Sequence, residues 1–161
     1  MTPRLVLFDI DGTLLLTGGA GKRAMERAFE QLFGVADAFA DVPMGGRTDR
    51  FLIEQALARH DLAVTPERLD AFRGRYIECL EATILEPGRG VRGVMPGVEP
   101  LLDALGDVAA VQCALLTGNY EAGARVKLSY YGLWHRFAWG AFGDDHAERN
   151  ALARAAVVDA S

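Results

Sequence analysis

Two cysteines and three histidines among 161 residues leave little material for a disulfide framework or a soft metal centre. Cys79 falls in a helical pattern and Cys113 in a strand-like one, so both are expected to be reduced core thiols. His60, His135 and His146 are scattered without ligand spacing and are expected to be structural or surface residues. No apolar run reaches membrane-spanning length, and Asp9 interrupts the first one too early for a signal peptide. A cytoplasmic protein without a membrane partner is the expectation. A dense basic cluster is missing too: the arginines of 47–50 and 89–92 are too sparse for a polyanion face. With a net charge of −5, nucleic acid is not an expected partner. Repeats and low-complexity stretches are absent. What is present is 50% hydrophobic and 24% charged, the balance of a globular domain, or of a core carrying a small insert.

The most informative stretch is Asp9-Ile10-Asp11-Gly12-Thr13, directly after the apolar run Leu5-Val6-Leu7-Phe8. Large aliphatic residues followed at once by two carboxylates read as a buried strand ending at a site. Asp9 and Asp11 are two residues apart, so on an extended backbone they share one face. Gly12 permits the tight turn that follows, and Thr13 can bond local backbone.

Beyond a Thr17-Gly18-Gly19 break, Met25, Phe29, Leu32 and Phe33 recur at helical spacing until Gly34. Thr48 is a plausible N-cap with Asp49 in the first turn, for a helix running to about His60. Thr65-Pro66-Glu67 starts a third helix, with Leu69, Phe72, Tyr76 and Leu80 as its apolar stripe. Residues 18–86 therefore read as an all-helical block, and the glycines and prolines of 87–97 mark its return. A short helix around Leu101 to Leu105, a strand over 108–116, a helix from Glu121 to Gly132, a strand over 137–142 and a helix over 146–158 follow. Strands alternating with helices predict an α/β fold with a parallel sheet, in which ligands bind beyond the carboxyl ends of the strands. All three expected strand ends carry polar residues: Asp9 and Asp11, then Thr117-Gly118-Asn119, then Gly143-Asp144-Asp145.

A strand-end carboxylate can attack a phosphoryl group and form an aspartyl-phosphate. A second one two residues on can protonate the leaving oxygen and later activate water. Two such close carboxylates call for a divalent cation, and oxygen-only ligands favour Mg2+. Thr117 offers a hydroxyl, and Gly118-Asn119 offers backbone N–H groups beside a helix N-terminus. Lys127 and Arg149 are the candidate cations for transition-state charge.

On these motifs the chain resembles the haloacid dehalogenase-like (HAD) superfamily, and within it the phosphoglycolate phosphatase-like branch with a helical cap. Asp9-Ile10-Asp11-Gly12-Thr13 matches the first motif and Leu115-Leu116-Thr117-Gly118-Asn119 the second, while Met95-Pro96-Gly97-Val98 is similar to the segment leading from cap to core. The resemblance implies a Rossmann-like parallel-sheet core, residues 1–17 and 87–161, with a cap over 18–86. It implies a Mg2+-dependent phosphatase acting on a small phosphomonoester, with Asp9 as nucleophile, Asp11 as acid/base and Thr117 holding the phosphoryl group. Mg2+ would bind the Asp9 side chain and the Asp11 backbone carbonyl. Gly12, Thr13, Gly118 and Asn119 would line the substrate's phosphate, and Arg47 on the cap loop would meet a carboxylate or second phosphate. The superfamily's dehalogenases lack the second carboxylate, so Asp11 points to phosphoryl transfer.

Two departures accompany the match. The third motif is a Lys after the third strand, where this chain has Arg149. Arg149 is the favoured candidate for that charge because Lys127 would be carried about 9 Å along its helix. The fourth motif, a Gly-Asp-x-x-x-Asp arrangement after a further strand, is not reached before Ser161. That stop implies a C-terminally incomplete member lacking the last strands. The competing expectation is a catalytically impaired fragment serving as a binding or regulatory module, and a mutase is a third. The first strand would then be an exposed sheet edge, favouring a homodimer.

Overall fold

A computed structural model describes residues 4–144. Strand β1 (Arg4–Phe8) pairs in parallel with β4 (Val111–Leu116), which pairs in parallel with β5 (Gly140–Ala141). The sheet order is β1-β4-β5, so β1 lies at its edge among the described residues. The register sets Phe8 beside Leu115, so both strands end at the same level and their following loops meet. Helices α4 (Val98–Gly106) and α5 (Glu121–Tyr130) flank this sheet. Phe8, Ile10, Leu14, Leu102, Leu115 and Leu128 form its buried centre. This is the α/β arrangement with a parallel sheet expected from the alternation of strands and helices, and the Rossmann-like core that the resemblance implies.

Leu15–Thr17 (β2) and Arg92–Val94 (β3) form a separate antiparallel pair, with Leu15 opposite Val94. These are the two chain segments that leave and re-enter the core. They cross again where Gly88 meets Gly18: a Cβ on Gly88 would stand 3.0 Å from the Gly18 Cα. The sequence assigns neither as a strand, because three residues are too short to show alternation.

Between β2 and β3 stand α1 (Ala20–Phe33), α2 (Asp49–Arg59) and α3 (Pro66–Thr83). Gly34 ends α1 in the left-handed region at φ 71°, where a residue without Cβ is unstrained. Thr48 and Thr65 each cap the following helix, accepting from Phe51 N at 3.1 Å and Arg68 N at 3.3 Å. The helices close over an aromatic centre in which Phe29 meets Phe39 edge-on at 5.7 Å and Phe72 stacks on Tyr76 at 6.0 Å. Tyr120, from the loop after β4, inserts into the same cluster 6.3 Å from Tyr76. Val126 of α5 packs against the same cluster, so the core reaches into the cap through both side chains.

Two strands are shorter than expected. The expected strand over 137–142 is only Gly140–Ala141, because Trp134–Arg136 winds into a 3₁₀ turn just before it. The strand expected from 108 starts at Val111, since Val108 N and Val111 N are spent on turn bonds to Leu105 O and Val108 O. The helix expected over 146–158 lies outside the described residues. Cys79 and Cys113 are both free thiols, the first buried and the second partly so. No helix among the described residues is long and apolar enough to cross a membrane.

Candidate active site

The loops after β1 and β4 bring the motif residues together. Gly12 adopts φ 79°, and its N–H donates to Leu15 O at 2.9 Å, folding the chain back after the carboxylate pair. Thr13 N donates to Ile10 O at 3.1 Å in the same turn. Asp9 is partly buried and accepts from Ile10 N at 2.8 Å through Oδ1.

Asp11 faces a dense network. Lys127 Nζ lies 2.9 Å from both of its carboxylate oxygens and donates to Asn119 Oδ1 at 2.7 Å. Asn119 Nδ2 donates to Asp11 Oδ2 at 2.8 Å and to Thr117 Oγ1 at 2.7 Å. Desolvation works to raise the Asp11 carboxyl, but the Lys127 charge and the hydrogen bonds from Asn119 and Lys127 outweigh it and hold it below the ordinary carboxylate range. The Lys127 side chain is 6% exposed and that of Asp11 48%, so the cation is fixed from behind while the carboxylate stays open in front.

These contacts revise two expectations. Lys127 does reach the strand ends: it sits on the second turn of α5, and helical side chains lean toward their helix's N-terminus, shortening the span that helix rise alone suggests. Arg149, favoured over Lys127 from sequence, lies outside the described residues, as does Asp145. The Asn119 N–H is not a free phosphate donor, because it bonds Thr117 Oγ1 at 3.2 Å. Its side chain instead ties Thr117, Asp11 and Lys127 together. Asp144 accepts from Glu121 N at 2.7 Å and so caps the start of α5.

Asp49 and Tyr76 are site residues that the sequence reading left as a helix-start acid and a member of an apolar stripe. Asp49 N donates to Gly118 O at 2.7 Å, and Asp49 Oδ2 accepts from Tyr120 N at 2.9 Å. The start of α2 is thereby clasped onto the loop after β4. Gly118 is required for this fit, since a Cβ there would collide with the Arg47 carbonyl and stand 2.9 Å from the Thr48 Cα. Burial pushes the Asp49 carboxyl up to about 7, against the opposing pull of Lys127. No local pattern separates such an acid from an ordinary first-turn Asp.

A cavity of about 420 Å³ opens between cap and core. Asp11, Asn119 and Lys127 form its core wall, and Met25, Met44, Leu52 and Tyr76 much of its cap wall. The exposed Arg47 borders it, with its guanidinium 4.8 Å over the Phe51 ring, and Lys22 and Arg89 add positive charge. Asp9, Thr117, Gly12 and Thr13 are not among its lining residues. No group of three His, Cys, Asp or Glu capable of holding a metal occurs among the described residues. The Asp9 carboxylate and the Asp11 carbonyl are hard oxygen donors of the kind Mg2+ takes, the remaining positions being open to water. The Asp11 carboxylate itself is held by Lys127 and Asn119.

The sequence model of the family described as haloacid dehalogenase-like hydrolase matches residues 6–160. Among curated proteins no sequence matches this chain. Among solved structures, CbbY from Rhodobacter sphaeroides in complex with phosphate is similar at a TM-score of 0.72 and 23% identity, covering 99% of this chain and 73% of that one. A predicted phosphoglycolate phosphatase from Haemophilus somnus superposes at 0.60 with 16% identity, over 91% of this chain and 65% of its own. A putative phosphoglycolate phosphatase from Lactobacillus plantarum does so at 0.61 with 21% identity, over 99% and 72%. At these identities the likeness is one of fold.

Proposed function

The chain belongs to the haloacid dehalogenase-like hydrolase family, and we propose that it is a phosphatase hydrolysing a small phosphomonoester through an aspartyl-phosphate on Asp9. The observation that carries this reading is the Lys127–Asp11–Asn119–Thr117 network at the ends of β1 and β4. It fixes an acid/base carboxylate, two residues from Asp9, against a buried ammonium.

In the proposed sequence an Asp9 oxygen attacks phosphorus, an Asp9 O–P bond forms and the P–O ester bond breaks. Asp11 gives its proton to the departing oxygen. Water then attacks the phosphorus of the acyl phosphate, Asp11 takes its proton, and Asp9 and inorganic phosphate are released. Lys127 couples the two states of Asp11. Paired with Lys127, Asp11 is held as the carboxylate, the form that accepts a proton. A bound phosphoryl dianion competes for the same ammonium, and the loss of that partner raises the Asp11 carboxyl toward the acid form. Thr117 would steady the phosphoryl oxygens through its hydroxyl. Mg2+, held by Asp9 and the Asp11 carbonyl, would offset charge on those oxygens.

Arg47, Lys22 and Arg89 at the cavity mouth suit a second anionic group on the substrate. In support, the similar CbbY has been solved both with phosphate and, as a mutant, with xylulose-(1,5)-bisphosphate. The test is hydrolysis of an aryl phosphate with and without Mg2+, by the wild type beside Asp9→Asn. Mg2+-dependent turnover in the wild type alone is expected; no turnover in either protein would sink the phosphatase reading.

A further inference from the structure

Tyr76 combines three properties. Its side chain is fully buried (0% exposed). It forms part of the wall of the cavity that Asp11, Asn119 and Lys127 also line. Among the described residues its hydroxyl is the buried side-chain polar atom with no hydrogen-bond partner. Buried donors are almost always paired, and leaving one unpaired destabilises the fold without return unless something outside the chain pairs it. A phenylalanine would stack on Phe72 as well and carry no such penalty.

The surroundings indicate where the partner comes from. A Cβ built on Gly21 would stand 3.4 Å from Lys127 Nζ and 3.8 Å from the Tyr76 hydroxyl. Ammonium and phenol thus border the same space above α1, and the absence of a side chain at 21 keeps it clear. Gly21 has ordinary helical backbone, where alanine would favour the helix more, so its use there fits that space and not a conformational need. Met25, Met44 and Leu52 surround the remainder with apolar surface. A ligand held at Asp11 and Lys127 by its phosphoryl end extends toward these side chains with its organic end. The phenol is then the polar contact that the organic end meets among them.

We propose that Tyr76 is a specificity-determining residue, whose phenol donates a hydrogen bond to an oxygen on the organic part of the phosphomonoester. The site accordingly selects hydroxylated, polyol- or sugar-type phosphates over alkyl phosphates of the same length. This rests on the phosphatase reading for the placement of the phosphoryl end, but its test needs no turnover.

Binding of glycerol 3-phosphate and of propyl phosphate is measured by calorimetry on Asp9→Asn protein, with and without Tyr76→Phe. The glycerol ester is expected to bind about tenfold more tightly than the propyl ester, as for a site built to hydrogen-bond a hydroxyl. Tyr76→Phe should reduce that ratio to about two or less, leave the propyl phosphate affinity unchanged and leave Tm equal or higher, because the lost hydroxyl had no partner. Gly21→Ala, which fills the shared space with a methyl group, should weaken the glycerol ester more than the propyl ester. A ratio near one in the parent, a ratio that survives Tyr76→Phe, or no binding of either ester would overturn the proposal. Absence of aryl phosphate hydrolysis with the binding preference intact would instead fall on the catalytic reading alone.

Discussion

The two walls of the cavity are built on opposite plans. On the core side every polar group named is paired: Asp11 with Lys127 and Asn119, Asn119 with Thr117, Lys127 with three oxygens. On the cap side apolar surface dominates and one buried hydroxyl has no protein partner. A saturated network is rigid and holds charges where bond-making needs them. An unsaturated wall is free to take its missing partner from a ligand. On the proposed reading, chemistry belongs to the core wall and recognition to the cap wall. The two are joined by Asp49, whose main chain and side chain both bond the loop after β4.

That division is broken most severely at the nucleophile. Asp9→Asn is expected to lower kcat by at least about 10³-fold with Tm unchanged, read by aryl phosphate hydrolysis and calorimetry. Lys127→Met, which removes the charge of the saturated wall, should cost about 10²–10³-fold in kcat. It should also move the acidic limb of the pH–rate profile upward, as Asp11 loses the cation that holds its carboxyl down. On the cap side, Phe72→Ala opens a hole in the aromatic centre and should cost about 3–5 kcal/mol of stability in urea unfolding.

The smallest effect concerns the joint. The folded-state Asp49 carboxyl is raised to about 7 from an ordinary value of 3.8, so between those values the native state holds a proton that the unfolded chain has released. Its contribution is fully present below about pH 4 and is lost as pH rises through 7. Asp49→Asn should therefore flatten the decline of Tm over that window. Parallel Tm–pH curves for the two proteins would contradict a buried titrating clasp.

Much of this was legible in the chain because it is written locally. Four apolar residues followed by Asp9 and Asp11, hydroxyl caps at Thr48 and Thr65, and Gly34 closing α1 each carry their structural consequence within a few residues. The fold class follows from their alternation. What was not legible depends on partners distant along the chain. Lys127 meets Asp11 across 116 positions, and helix rise without side-chain direction misjudged its reach. Asp49 pairs with Tyr120 across 71 positions, and nothing in Thr48-Asp49 distinguishes a clasp from a cap. Tyr76 looks like one more stripe residue, since periodicity reports that a ring is buried and not whether its hydroxyl finds a partner.

The central claim is that Asp9 becomes covalently phosphorylated while Lys127 and Asp11 manage charge and proton. Acid quench of the Mg2+-containing wild type during aryl phosphate turnover, followed by peptide mass spectrometry, tests it directly. A phosphorylated peptide containing Asp9, absent from Asp9→Asn, is the predicted result. Sustained phosphate release by Asp9→Asn, with no phosphorylated peptide from the wild type, would contradict it.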